Sequence, residues 1–268
     1  MDSPPRINVL GVGISDINYD IALDQIRLAI SEGRKGYVTV TGVHGVSECQ
    51  RDEKLRDIHN NSFLSTPDGM PMVWMGKLRG SRIIERVYGP DMMLSVMRTG
   101  VSVGWTHFLF GGGEGVAEKL KNKLDELVPG VRISGIQTPP FRALNDEEES
   151  ALVTRIAELR PDCFWVGLST PKQERFMAGY LPRLDTTLMF GVGAAFDFHA
   201  GLVPQAPRWM QMAGLEWFYR LCKEPKRLWR RYFKNNPLFL CRAGLQLTGL
   251  RRYPAVPRER RSFSHLRS

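Results

Sequence analysis

The 268-residue sequence has only four cysteines, and their spacing does not indicate a covalent framework. Cys49, Cys163, Cys222 and Cys241 lie far apart, and no CxxC pair occurs. A disulfide scaffold and a zinc ribbon are therefore not indicated, and a reducing, cytosolic setting is expected.

Long apolar runs are absent as well. No stretch approaches the roughly 20 consecutive apolar residues that a membrane-spanning helix requires. The N-terminal sequence MDSPPRINVLGVG lacks the basic start and apolar core of a secretion signal. We therefore expect a protein that is soluble or bound peripherally to a membrane.

Several motifs of metal and cofactor chemistry are missing. The chain has no Asp-x-Asp, its five histidines are not spaced as metal ligands, and no GxGxxG is followed by an acidic residue at the end of a second strand. We therefore expect neither a catalytic metal nor an organic cofactor.

Charge is distributed unevenly along the chain. Residues 205–268 contain 15 Lys or Arg and three Glu, whereas residues 1–204 contain 22 basic and 25 acidic side chains. A near-neutral body thus carries a strongly basic C-terminal quarter. Such a segment favours polyanions, which include anionic lipid, nucleic acid and phosphorylated substrates.

Short apolar segments that alternate with amphipathic ones predict the fold. The strand candidates are INVLGV, YVTVTG, HFLFGG, VRISGI, CFWVGL and LMFGVG. Several of them lack apolar/polar alternation, which is typical of a sheet buried on both faces. We predict a Rossmann-like α/β sandwich with a mainly parallel sheet in residues 1–206, a basic helical appendage in 207–253 and a disordered tail in 254–268.

Small or acidic residues follow three of the strands, at the edge where parallel α/β folds bind ligands. Gly112 ends HFLFGG and Gly113 follows it, where backbone N–H groups could bind phosphate; an empty tight turn is the alternative. Asp68 could act as a base or cap the next helix. Asp197 could contact a ligand or serve a buried structural role.

A polar cluster opens the helix after CFWVGL. Lys172, Gln173 and Glu174 suit nucleotide recognition, because an amide can bind a base or ribose and a carboxylate can accept from ribose hydroxyls. An ordinary solvated helix start, capped by Ser169 or Thr170, is the alternative.

The C-terminal run EWFYRLCKEPKRLWRRYF combines arginines with aromatic residues. If a helix continues past Pro225, then Arg220, Arg227 and Arg230 share one face. Guanidinium groups suit the oxygens of a diphosphate. A solvated basic face is one alternative, and contact with a membrane surface or nucleic acid is another.

Taken together, six segments resemble the WecG/TagA/CpsF family of bacterial glycosyltransferases. They are TPDGMPMVW, ERVYGPDMM, FLFGGGEG, VGLSTPKQERF, GVGAAFDFHAG and APRWMQMAGLEWFYRLCKEPKRLWRRY, within residues 7–237. The resemblance implies transfer of N-acetylmannosamine, its uronic acid or another hexose from a UDP-sugar to a polyprenyl-diphosphate-linked saccharide in cell-surface polysaccharide synthesis.

The resemblance also implies roles for individual residues. Asp68 corresponds to the general base that accepts the proton of the acceptor hydroxyl. The PKQE stretch, with Gln173 and Glu174, would hold the UDP portion. The three arginines of the appendage would close over the active site and meet the diphosphate at the membrane surface.

One loop departs from the family pattern. Many members carry Thr-x-Asn near the end of the second strand, where this chain reads Thr39-Val40-Thr41-Gly42. The preferred register places Thr41 at the Asn position, among the substrate contacts. A shift of one residue places Val40 and Gly42 at the two positions instead.

The sequence therefore predicts an inverting, metal-independent glycosyltransferase. We expect it to lie on the inner face of the plasma membrane, bound to anionic lipid, without a nucleic-acid partner; a homo-oligomer is left open. The alternatives are a nicotinamide-dependent α/β enzyme and, because of the basic tail, a nucleic-acid-binding protein.

Overall fold

The structure is a computed structural model in which residues 4–253 are described. The tail predicted at 254–268 lies outside the described residues. The strands are β1 (Arg6–Val9), β2 (Val12–Ser15), β3 (Gly36–Thr41), β4 (Leu64–Pro67), β5 (Thr106–Gly111), β6 (Arg132–Gln137), β7 (Cys163–Gly167) and β8 (Leu188–Gly191).

The helices alternate with the strands through the body of the chain and then follow one another at its C-terminal end. They are α1 (Tyr19–Ser31), α2 (Val43–Cys49), α3 (Glu53–Asn60), α4 (Met70–Leu78), α5 (Gly89–Val103), α6 (Val116–Leu127), α7 (Asp146–Leu159), α8 (Lys172–Tyr180), α9 (Ala195–His199), α10 (Arg208–Met212), α11 (Glu216–Lys223) and α12 (Pro225–Leu247).

The central sheet has six strands in the order β4-β3-β8-β7-β5-β6. Every neighbouring pair in it is parallel. Consecutive residues of β7, Phe164 and Trp165, are buried in separate apolar clusters on the two faces. This explains why the strands lack alternation, since helices cover both sides of the sheet. The predicted Rossmann-like α/β fold is confirmed.

The first strand candidate, INVLGV, does not join the parallel sheet. It forms the antiparallel hairpin of β1 and β2, because Leu10 and Gly11 turn the chain with φ of 52° and 84°. Val9, Val12 and Ile14 of this hairpin are buried in a cluster of their own against α4 and α12.

The order in which strands are added to the sheet reverses between the parallel neighbours β5 and β7. The connection from β5 leads to β6 at the sheet edge, whereas that from β7 leads to β8 on the other side. Such a reversal opens a crevice at the carboxyl ends of the two strands, where ligands bind in open α/β folds. Gly111 and Gly167 form its floor. A Cβ on Gly111 would lie 2.7 Å from the Gly167 backbone, so only glycine fits there.

The C-terminal helices are not separate from the body. Phe239 and Ala243 of α12 are buried against the β1/β2 hairpin. Gln246 accepts a hydrogen bond from the Leu10 amide at 3.1 Å and donates to the Asn8 carbonyl at 3.2 Å. Within residues 4–253, no helix is both long and apolar enough to cross a membrane.

Candidate functional site

A cavity of about 800 Å³ opens at the carboxyl edge of the sheet. The turns after β3, β4, β5, β7 and β8 line one side of it, and α11 and α12 contribute side chains to the other. The predicted site residues that line it are Asp68, Gly112, Gly113, Lys172, Gln173, Asp197, Arg220 and Arg227. Thr41, Glu174 and Arg230 do not.

Asp68 follows β4 directly and faces the cavity. It does not cap α4, because Gly69 occupies the N-cap position with φ of 84° and no side-chain cap bond is formed. Burial raises the pKa of Asp68 to about 6, an effect that Arg86 opposes. Within residues 4–253, its Oδ1 is buried without a hydrogen-bond partner. Oδ1 is thus shielded from water although the side chain as a whole is 31% exposed, and a carboxylate with its pKa raised in this way can accept a proton near neutral pH.

Arg86 and Glu216 form an ion pair beside Asp68. The guanidinium of Arg86 donates to Glu216 Oε2 and lies with Nη2 3.9 Å from Asp68 Oδ1. Neither residue was predicted. Arg86 lies in an extended segment and Glu216 opens α11, and each is a single charged residue without a local pattern. The only signal was their position inside ERVYGP and LEWFY, two stretches of the family resemblance.

The turn between β5 and α6 is built from glycines with positive φ. Gly111, Gly112 and Gly115 all have positive φ, of 138°, 76° and 70°. A Cβ on Gly112 would meet Val116 at 2.9 Å, so the loop requires glycine for its own conformation. Gly112 and Gly113 line the cavity just before α6, the position at which backbone N–H groups can bind an anion. The Gly112 N–H itself already donates to the Gly167 carbonyl at 3.1 Å.

The side chains of Gln173 and Glu174 are hydrogen-bonded to each other at the start of α8. Gln173 Nε2 donates to Glu174 Oε1 at 3.0 Å and to the Gly191 carbonyl at 3.1 Å. Thr170 Oγ1 also donates to Glu174, at 2.9 Å, instead of capping the helix. Glu174 is fully buried, and burial raises its pKa. It therefore orients Gln173, whose Oε1 has no partner within residues 4–253, instead of facing the cavity itself.

The helix breaks between Lys223 and Pro225, so α11 and α12 are separate. For this reason the spacing that placed Arg220, Arg227 and Arg230 on one face does not hold. Arg231 lines the cavity with Arg220 and Arg227. Arg230 is directed elsewhere, with its guanidinium 5.3 Å from the ring centroid of Trp229.

The cavity arginines have few partners. Arg220 lies 5.4 Å from the Phe198 ring centroid, and Arg227 pairs with Glu224 of the same bend. Within residues 4–253, the structure shows no ion pair of Arg220 or Arg231. Burial lowers the pKa of Arg231. Incompletely paired guanidinium groups at a cavity wall favour an anionic ligand.

Asp197 lies on α9 and lines the same cavity as these arginines. Burial raises its pKa, and Arg227 opposes this rise. Its neighbours place it at the cavity rather than in the core. Lys172, at the first position of α8, contributes another positive charge to the lining.

The end of β3 places the Thr41 side chain away from the cavity, unlike the predicted substrate contact. Thr41 is fully buried, accepts from Ser65 Oγ at 2.9 Å and lies 3.1 Å from His59 Nδ1. Val40 and Gly42 line the cavity instead. Alternate residues of a strand point to opposite faces, so a shift of one residue exchanges the two sets. Thr41 therefore stabilises the strand pair and does not reach the cavity.

One spacing typical of a serine nucleophile, Gly-x-Ser-x-Gly, occurs at residues 100–104. It forms the end of α5 and not the strand-to-helix turn that such a nucleophile requires. Ser102 Oγ is exposed and donates to the Thr99 carbonyl at 3.0 Å. Within residues 4–253, no group of three His, Cys, Asp or Glu side chains is placed to hold a metal ion.

Comparisons with known proteins cover most of the chain. The model of the "Glycosyl transferase WecG/TagA/CpsF family" matches residues 7–253. N-acetylglucosaminyldiphosphoundecaprenol N-acetyl-beta-D-mannosaminyltransferase of Bacillus subtilis (strain 168) is 29% identical over 181 residues, which are 68% of each chain. The protein of the same name from Bacillus spizizenii (strain ATCC 23059 / NRRL B-14472 / W23) is 28% identical over 184 residues, 69% of each chain.

Proposed function

Because this chain belongs to the WecG/TagA/CpsF family of glycosyl transferases, we propose that it transfers N-acetylmannosamine or a related hexose from a UDP-sugar to a polyprenyl-diphosphate-linked saccharide. The two Bacillus relatives are, by name, N-acetylmannosaminyltransferases that act on N-acetylglucosaminyldiphosphoundecaprenol. Family membership favours sugar transfer over the nicotinamide-dependent and nucleic-acid-binding alternatives.

The UDP portion fits the crevice between β5 and β7. Gly112, Gly113, Arg220, Arg227 and Arg231 all line the cavity there, which supports a diphosphate position among them. Of the charged side chains that line the cavity, six are Lys or Arg and three are Asp or Glu, which favours a polyanion. Fixed positive groups in a cavity that excludes water stabilise a leaving diphosphate without a metal.

Gln173 is suited to hold the uridine. Its Nε2 is committed to Glu174 and to the Gly191 carbonyl, which leaves Oε1 as a buried acceptor, without a partner in residues 4–253, on a residue that lines the cavity. A uracil N–H or a ribose hydroxyl can donate to such an oxygen. Glu174 then acts by keeping the amide in this orientation.

Asp68 is the base of the proposed reaction. The acceptor hydroxyl oxygen attacks the anomeric carbon, the bond from that carbon to the diphosphate oxygen breaks, and UDP leaves with the electron pair. The hydroxyl proton passes to the Asp68 carboxylate. Attack opposite the leaving group inverts the anomeric centre, and the transition state has oxocarbenium character. A carboxylate with a pKa of about 6 is suited to this role, because it is ionised at neutral pH and still basic.

Residues 207–253 are proposed as the part of the chain that faces the acceptor and the membrane. Trp209, Trp217, Trp229 and Phe233 are exposed in this segment, among many Lys and Arg side chains. Exposed aromatic rings beside basic residues favour the interface of an anionic bilayer. These features support a peripheral position on the inner face of the plasma membrane, where a lipid-linked acceptor would reside.

The observation that carries the proposal is the meeting of Asp68 with the appendage arginines in one cavity at the crevice. The test is release of UDP from a panel of UDP-hexoses, with a short-chain polyprenyl-diphosphate N-acetylglucosamine as acceptor and EDTA present. We expect release with one preferred donor, dependent on the acceptor and unaffected by EDTA.

Each component of the panel isolates one part of the proposal. If no UDP-hexose is turned over, the donor class is wrong. If EDTA abolishes release and magnesium restores it, metal independence is wrong while sugar transfer stands. Retention of the anomeric configuration in the product, read by proton NMR, would contradict the single displacement.

A further inference from the structure

Arg86 connects the C-terminal helices to the base. Its guanidinium donates to Gln211 Oε1 at 3.1 Å and to Glu216 Oε2, and both residues lie beyond position 204. The Tyr88 ring centroid lies 4.0 Å from the guanidinium carbon, and the Tyr88 hydroxyl donates to Glu216 Oε1 at 3.1 Å. Arg86 is thus held on three sides, and Asp68 lies on the remaining side.

Glu216 and Asp68 compete for the same nitrogen of Arg86. Nη2 is in hydrogen-bond contact with Glu216 Oε2, whereas its distance to Asp68 Oδ1 is 3.9 Å, too long for a hydrogen bond. The side chains of Arg86 and Glu216 are only 9% and 16% exposed. Water therefore screens this competition weakly, and Glu216 holds the guanidinium.

We propose that Glu216 is a positioning residue that keeps Arg86 from forming a hydrogen-bonded pair with Asp68, so that the contact between Glu216 of α11 and Arg86 leaves the base free. The inference rests on the proposed role of Asp68. Without Glu216, Nη2 needs to move only about 1 Å to reach hydrogen-bond distance from Asp68. A carboxylate paired with a guanidinium is a weaker base and is less accessible to an acceptor hydroxyl.

The other groups that face Asp68 do not replace this contact. Arg220 of α11 is the second cation near it and lowers its pKa, and Glu216 itself raises that pKa by charge repulsion. The hydroxyls of Tyr19 and Tyr88 are also near, and burial raises both of their pKa values, so they stay neutral. Removal of the Glu216 charge therefore shifts the Asp68 pKa in one direction, downward.

The test is a titration of the full-length protein labelled with ¹³C at the aspartate carboxyl carbons, followed by NMR. The Asp68 signal is identified by its absence in Asp68→Asn. We expect its midpoint near pH 6 in the wild type, and about 1 pH unit lower in Glu216→Gln. In Glu158→Gln, which removes an exposed carboxylate of α7, the midpoint stays that of the wild type. In Arg86→Gln the midpoint moves to higher pH.

Turnover provides the second measurement. In Glu216→Gln we expect the acid limb of the rate profile to move to lower pH and kcat to fall about tenfold, with the KM for the donor unchanged. Glu216→Asp keeps the charge on a shorter side chain, so its midpoint lies between those of the wild type and Glu216→Gln. This second variant tests the contact if Glu216→Gln is too unstable to titrate.

Two outcomes overturn the inference. One is an Asp68 midpoint in Glu216→Gln that equals or exceeds that of the wild type. The other is an Arg86→Gln midpoint that does not rise. Because the titration needs no substrate, these failures are distinct from failure of the proposed function, which would appear as no turnover of any UDP-hexose, and from failure of the base assignment, which would appear as full turnover in Asp68→Asn.

Discussion

The sheet edge and the C-terminal helices contribute opposite charges to the same cavity. The edge supplies Asp68 and Asp197, carboxylates whose pKa values are raised mainly by burial. The helices supply Arg220, Arg227 and Arg231. The carboxylates are partly buried, and two of the three arginines have no ion pair within the described part of the chain.

The difference shows how one site can accept a proton and stabilise a leaving diphosphate. A base must be short of cationic partners, whereas a diphosphate site needs cations in excess. Asp68 and the three arginines come from segments about 150 residues apart, whereas Asp197 is close to the arginines in sequence and its pKa is affected by Arg227. The exception is Glu216, an acidic residue of the helices that pairs with Arg86 of the body.

The largest effect is expected at the base. Asp68→Asn keeps the shape but cannot accept the proton, so kcat should fall about 10²–10⁴-fold, while the UDP Kd stays unchanged. UDP release and calorimetry measure the two quantities. Asp125→Asn, which removes an exposed carboxylate of α6, is the matched control. A comparable fall in kcat in both variants would contradict the assignment of the base to the sheet edge.

The next effect concerns the attachment of the helices to the body. Phe239 is 3% exposed in the cluster with the β1/β2 hairpin, whereas Phe233 of the same helix is 70% exposed. Phe239→Ala should lower the free energy of unfolding by about 3–5 kcal/mol, and Phe233→Ala by less than about 0.5 kcal/mol. Urea unfolding measures both. Equal costs would mean that α12 does not share the core.

Arg230 and Arg231, adjacent residues of α12, are expected to differ in their effect on UDP binding. Arg231 lines the cavity and Arg230 does not. Arg231→Ala should weaken UDP binding about 10- to 100-fold, the equivalent of one charged hydrogen bond. Arg230→Ala should change it by less than about twofold, as for an exposed charge. Calorimetric titration with UDP decides, and the reverse ranking would restore the single helical face predicted from the sequence.

The smallest effect is expected at Thr41. Thr41→Val removes its hydrogen bonds with Ser65 and His59, which should cost about 1–3 kcal/mol of stability. UDP affinity should stay the same, because the side chain does not reach the cavity. A variant of normal thermal stability with weaker UDP binding would instead place Thr41 among the ligand contacts.

Much of the fold was predictable because β-strands buried on both faces leave continuous apolar runs, as in CFWVG of β7. The β1/β2 hairpin was not, since INVLGV has only Asn8 as a polar residue and the turn depends on a positive φ at Leu10, a residue that does not favour it.

Site residues were predictable where they directly follow a strand, as Asp68 and Gly112 do. Contacts between distant segments, such as that of Arg86 with Glu216, were not predictable. Nor was the direction of side chains beyond a helix break, as at Pro225, because the break changes which residues share a face. Local periodicity carries no information about either. The family resemblance covered both stretches without identifying their contact.

The most direct test of the account is the pH dependence of kcat/KM for acceptor-dependent UDP release, from pH 5 to about 8, in the wild type and in Asp68→Asn. Burial raises the pKa of Asp68 to about 6, and only the ionised form accepts a proton. The account predicts a wild-type rate that rises through about pH 6 to a plateau, and a low rate without this limb in the variant. A variant that keeps both the limb and the wild-type rate would contradict the assignment of Asp68 as the base.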